Sequence, residues 1–89
     1  MARKKKRVRS LRKKIIMLTV SGFFISDLEK ELKKLADKMK ISITLERRDG
    51  FHTYPLKVVL VALPERTEPM LKLIESMQEE YHFTIKSVF

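Results

Sequence analysis

The chain contains no cysteine, which excludes a disulfide framework, a thiolate zinc site and a cysteine nucleophile together. It has two glycines, Gly22 and Gly50, too few for a loop that cradles phosphate. Its two histidines, His52 and His82, fall near the ends of separate strands with no partner at ligand spacing. Acids are scattered along helix faces in pairs such as Glu29 with Lys33, which is ordinary i,i+4 support. No nucleophile stands beside a base. Neither an enzyme nor a metal or cofactor site is expected. Apolar runs are short: Ile15 to Val20 stops at Ser21-Gly22. That is less than the roughly 7–15 residues of a signal-peptide core and far less than the roughly 18 of a membrane span. A soluble, non-exported, cytoplasmic chain is the expectation, and a reducing interior is the milder reading of the missing thiols.

Negative charge is absent from one segment. Residues 1–14 hold Arg3, Lys4, Lys5, Lys6, Arg7, Arg9, Arg12, Lys13 and Lys14, nine cations with no Asp or Glu. The other 75 residues set eleven Lys and Arg against eleven Asp and Glu, so the formal charge of +9 belongs to the N-terminal segment. Such a run repels itself and has no core to bury, so residues 1–14 are expected to form a disordered basic tail until an anion meets it. A polyanion is its natural target, and nucleic acid, RNA or DNA alike, fits through contacts largely independent of base sequence. Acidic lipid headgroups fit the same charge, although the segment has no bulky apolar face. A tail that only solubilises or targets is the plainer alternative.

Residues 15–89 read as one small domain. Ile15 to Val20 form a buried strand by length and β-branched content. Ser26 followed by Glu29 fits a capping box that opens a helix, and Leu28, Leu32, Leu35, Ala36 and Met39 line one face of it. From Ile41 the period becomes two, with Ile43 and Leu45 alternating against Ser42, Thr44 and Glu46. Asp49-Gly50 carries hairpin chemistry, since the pair accepts positive φ. A third strand spans about His52 to Leu63; Pro55 marks an edge, a bulge or a late start, and Pro64 ends it. Thr67 is a plausible N-cap for a second helix with Pro69 in its first turn. Met70, Leu73, Ile74, Met77 and Tyr81 form its stripe. A fourth strand, His82 to Phe89, closes the chain.

The order β-α-β-β-α-β has one dominant solution. This is an α+β, ferredoxin-like sandwich with a four-stranded antiparallel sheet in the order 4-1-3-2 and both helices on one face. The two central strands are apolar on both sides, so the face away from the helices carries Met17, Val59 and Val61. A body of about 75 residues buries only roughly 60% of its unfolded surface and gains from association, which makes this face a candidate homodimer interface. Dilution by Thr44, Glu46, Thr84 and Lys86 leaves a monomer as the alternative. The same sheet frames the RNA-recognition motif, but the first strand has no aromatic; Phe51 and Tyr54 are the nearest candidates, and hairpin packing is their commoner role.

The stretch Val20-Ser-Gly-Phe-Phe-Ile-Ser-Asp-Leu28, followed by Glu-Lys-Glu-Leu-Lys-Lys-Leu-Ala, resembles the first strand-turn-helix of ACT domains. Gly22 stands where a glycine ends their first strand, and Phe24-Ile25-Ser26-Asp27 replaces the acidic-basic-Pro-Gly run that opens their helix. With the later Asp-Gly-Phe-His-Thr-Tyr, the pattern also looks like the small ACT-like YbeD family. The resemblance covers residues 15–89 and implies a regulatory module that senses a small molecule at the turn from Gly22 to Ser26 or binds a partner enzyme.

Overall fold

The computed structural model describes residues 11–50 and 52–89. Its elements are β1 (Arg12–Ser21), α1 (Ile25–Met39), β2 (Ser42–Arg47), β3 (Thr53–Ala62), α2 (Pro64–Ser76), α3 (Gln78–Tyr81) and β4 (Phe83–Val88). The four strands form one sheet in the order β2-β3-β1-β4, which is the expected 4-1-3-2 read from the other edge. All neighbours are antiparallel. The molecule is a ferredoxin-like α+β sandwich.

Strand periodicity divides the sheet into two faces. Ile16, Leu18 and Val20 of β1 and Leu56, Val58, Leu60 and Ala62 of β3 point to the helices and are buried. They meet Ile25, Leu28, Leu32 and Ala36 of α1 and Met70 and Ile74 of α2 in one core. Each fully buried leucine there contributes about 1.5–3 kcal/mol by leaving water. The opposite face carries Ile15, Met17, Val59 and Val61, each partly exposed. Glu46 and Lys57, register partners on that face, approach to 3.9 Å.

Several element boundaries differ from the sequence expectation, each for a local reason. β1 begins at Arg12 rather than Ile15, because Arg12, Lys13 and Lys14 pair in register with Ala62, Val61 and Leu60. Three cations of the expected tail therefore belong to the sheet. α1 begins at Ile25, so Ser26 sits inside its first turn and makes no capping bond. Ser21 shapes the entry instead: its carbonyl accepts from the Phe24 amide at 3.0 Å and its hydroxyl from the Phe23 amide at 3.3 Å. Glu29, freed from a capping box, takes Arg47 of β2 in a two-point pair at 2.6 and 3.3 Å, and this hydrogen bonding raises the Arg47 pKa.

The second helix starts at Pro64, the first helical position where proline is well tolerated. Thr67 is thus no N-cap. It is buried, and its hydroxyl donates to the Leu63 carbonyl at 3.2 Å. Pro69 consequently lies in the helix interior. The helix breaks at Met77, separating the one-turn α3, and Leu73 is 44% exposed rather than core.

Gly50 does not have positive φ. What it needs is space: a Cβ there would overlap the Thr53 carbonyl oxygen and come within 3.0 Å of the Tyr54 Cα. Pro55 lies within β3 opposite Thr19, beyond the point where β2 pairing ends at Arg47. In β4 a register shift between Met17 and Leu18 leaves Lys86 without a cross-strand partner and sets Ser87 opposite Met17. Burial along β4 still alternates as the sequence pattern expects through Ser87, while Phe89 is exposed.

α1 ends in a Schellman motif. The Ile41 amide donates to the Ala36 carbonyl at 2.8 Å and the Lys40 amide to Asp37 at 3.2 Å. Lys40 sits at φ 60 and ψ 46, the left-handed position that glycine usually fills, at a cost of roughly 1 kcal/mol for a residue bearing a Cβ. His82 is the other described non-glycine residue with positive φ.

Candidate functional site

Of the nine cations singled out in the sequence, Arg3, Lys4, Lys5, Lys6, Arg7 and Arg9 lie outside the described residues. The other three project from the first turns of the β1 ladder. β3 pairs along one side of Arg12, Lys13 and Lys14, while on the other side β4 pairing reaches only Ile16, with the Phe89 amide donating to the Ile15 carbonyl at 2.8 Å. Among the described residues these three cations form no ion pair. Side chains alternate along a strand, so Arg12 and Lys14 turn toward the helix layer and Lys13 toward the open face. With Pro64, Thr67, Glu68 and Leu71 they line a hollow of about 210 Å³ beside α2.

A second hollow, of about 420 Å³, opens on the other flank of the same sheet end. Leu11, Lys40, Ser42, Val61, Ala62, Leu63 and Arg66 line it. Lys40 arrives from the C-terminus of α1 and Arg66 from the first turn of α2, where its Nη1 donates to the Met39 carbonyl at 3.0 Å. The two hollows together carry five cations, Arg12, Lys13, Lys14, Lys40 and Arg66, against the single carboxylate of Glu68. Sequence reasoning missed Lys40 and Arg66 because they are 26 residues apart and balanced by acids elsewhere. A lysine directly after an amphipathic helix, where glycine is the usual stop, was the available signal for one of them.

Charge is distributed unevenly over the body. Around Tyr81, burial first and then the charges of Glu31, Glu80 and Asp27 push the phenol pKa up. The helix layer near α3 is thus acidic, and the sheet end from which β1 starts is basic. The segment 1–10 joins the body at that basic end.

The opposite end of β1 holds the aromatics. The Gly22 amide donates to the His52 carbonyl at 3.0 Å and the Ser21 amide to the His82 carbonyl at 3.5 Å, so the two histidines flank one turn instead of lying apart. His82 stacks on Phe24 with ring centroids 4.6 Å apart. Phe23 is 92% exposed and borders a hollow of about 260 Å³ with Gly22, His52 and Tyr54. Tyr54 lies in β3 opposite Val20, on the helix-facing side of the strand; Phe51 lies outside the described residues.

Met17, Val59 and Val61 do share the open face. Their register partners are Lys57, Ile15 and Lys13, which makes Ile15 a fourth apolar member. Its parity with Met17 already placed it there. No helix among the described residues is long and apolar enough to cross a membrane.

No family model and no curated protein matches this chain. Among solved structures, the chain is similar to a de novo designed protein, Ferredog-Diesel, with a TM-score of 0.56 and 13% identity over 100% of this chain and 94% of that one. A likeness at this identity speaks to the fold alone.

Proposed function

We propose that this chain is a non-enzymatic binding protein that associates with nucleic acid through its basic N-terminal segment, on a body that pairs with a second copy through its open sheet face. One observation carries the first half. The acid-free run of nine cations continues into β1, where Arg12, Lys13 and Lys14 form no ion pair among the described residues, and Lys40 and Arg66 line a second hollow at the same end of the sheet. Five cations against one carboxylate, Glu68, suit a backbone of phosphates, and each neutralised phosphate releases counterions. The test is the affinity of the full chain for labelled RNA and DNA and for anionic vesicles over a salt series. A steep negative log-log slope on nucleic acid supports the reading. Tighter binding to vesicles, or affinity indifferent to salt, overturns it.

Self-association rests on Ile15, Met17, Val59 and Val61, which share the sheet face that no described helix covers. A charge introduced at the centre of such a patch is desolvated without a partner. Val59→Glu is expected to raise the dimer dissociation constant at least about tenfold, an effect of roughly 1.4 kcal/mol, while the helix-facing core is untouched. Sedimentation equilibrium of both chains checks this; a wild-type chain that stays monomeric throughout contradicts it.

The second reading is an ACT-like regulatory module. Its support is the hollow at Gly22, Phe23, His52 and Tyr54, at the turn where a small molecule was expected. Ligand-dependent thermal stabilisation in a metabolite screen, lost in Phe23→Ala, would favour it over the nucleic-acid reading.

A further inference from the structure

We infer that the nucleic acid taken by this protein is single-stranded, and that one stretch of it lies in the groove between Lys40 and Arg66. This rests on the nucleic-acid reading above and specifies its site. Among the described residues that line it, the groove has those two cations and the Ser42 hydroxyl at its rim, no carboxylate, and an apolar floor of Leu11, Val61 and Leu63. Leu11, 65% exposed, is also the residue through which segment 1–10 enters the sheet. Leu11 thus adjoins the basic segment in the chain and lines the groove as well. A duplex keeps its base faces stacked inside and offers the protein phosphates and groove edges. Only a strand with unpaired bases can set phosphates on the cationic rim and lay base faces against aliphatic side chains such as Leu11, Val61 and Leu63.

Two residues of this groove also contradict local preference. Lys40 occupies a left-handed position that glycine fills without strain. Leu63 is the N-cap of α2, where Ser, Thr, Asp or Asn would bond a free amide, and no side chain caps that helix. Part of the Lys40 strain is offset because its charge faces the negative end of the α1 dipole. Leu63 is partly buried, which offsets part of the missing cap. Both positions border one groove.

The replacements that satisfy the local rules make the test. Lys40→Gly removes a cation while relieving the backbone, and Leu63→Ser removes apolar floor while adding a capping hydroxyl. Both chains are expected to melt no lower than the wild type by more than a few degrees. The full chain is titrated with labelled oligo-dT, oligo-rU and a duplex of equal length. Single strands are expected to bind more tightly than duplex, since only they present base faces to the apolar side chains of the groove. Lys40→Gly is expected to flatten the single-strand salt slope by about 0.7, one phosphate contact, which is about fivefold in affinity at about 0.1 M salt. Leu63→Ser is expected to weaken single-strand binding with its slope unchanged and to leave duplex binding as it was. Duplex bound as tightly as single strand overturns the inference, as do two well-folded variants that bind like the wild type. Failure of the full chain to bind either polymer overturns the underlying reading instead.

Discussion

A chain lacking residues 1–10 is expected to lose about three orders of magnitude in affinity for a single-stranded oligonucleotide at about 0.1 M salt, while melting where the full chain melts. The cut belongs after Ser10 because β1 starts at Arg12. Removing Arg12–Lys14 as well would strip the register partners of Ala62, Val61 and Leu60, confusing lost binding with lost sheet. Residues 1–10 contain six cations. If five of them each neutralise one phosphate, the log-log salt slope changes by about 3.5, and that slope at about 0.1 M amounts to a factor of roughly 3,000. The truncated chain keeps Arg12, Lys13, Lys14, Lys40 and Arg66 at the sheet end, so a residual slope of about −2 to −3 is expected rather than none.

Charge and length are separable. Replacing the six cations by glutamine at constant length is expected to reproduce the truncation, since the contacts are ionic and carry little base specificity. An unchanged slope in either chain would leave the segment a solubilising or targeting tail, and the polyanion reading would fall with it.

Much of this fold is legible from periodicity, because burial on one face imposes a period of two on strands and of 3.6 on helices. Ile16, Leu18 and Val20 against Ile15 and Met17, or Leu28, Leu32 and Ala36 along α1, follow it directly. The errors arise where composition was used in place of geometry. Arg12–Lys14 look like tail because they are charged, yet at this end of β1 Arg12 and Lys13 stay exposed and Lys14 half-exposed, so the ladder tolerates their charge. Ser26 and Thr67 look like caps because of their hydroxyls, yet the helices begin at Ile25 and Pro64, where the preceding turns close first. The candidate groove is legible only in part. Leu11 adjoins the basic segment, but Lys40 and Arg66 meet because a split βαβ topology brings the end of α1 and the start of α2 to one edge of the sheet. No local pattern encodes that meeting.

Pro69→Ala is expected to raise the melting temperature by about 8–16 °C, the consequence of roughly 2 kcal/mol in a domain of this size. Pro64 costs α2 nothing, since the first amide of a helix has no intrahelical acceptor. Pro69 stands five residues further on, inside the helix and exposed. It cannot donate to the Glu65 carbonyl, and its ring presses on that turn. An interior proline costs about 3 kcal/mol relative to alanine, offset by about 0.4–1 kcal/mol through the stiffer unfolded chain. Thermal and denaturant melts of the two chains check the difference, and an unchanged or lower midpoint would mean that α2 has adapted its backbone to the ring. Pro69 lines neither hollow at the basic end of the sheet, so the stabilised chain is expected to bind nucleic acid with the wild-type affinity and salt slope. A Pro69→Ala chain that melted higher but bound more weakly would place the α2 backbone around Pro69, and with it the approach of Arg66 to the groove, within the binding mechanism.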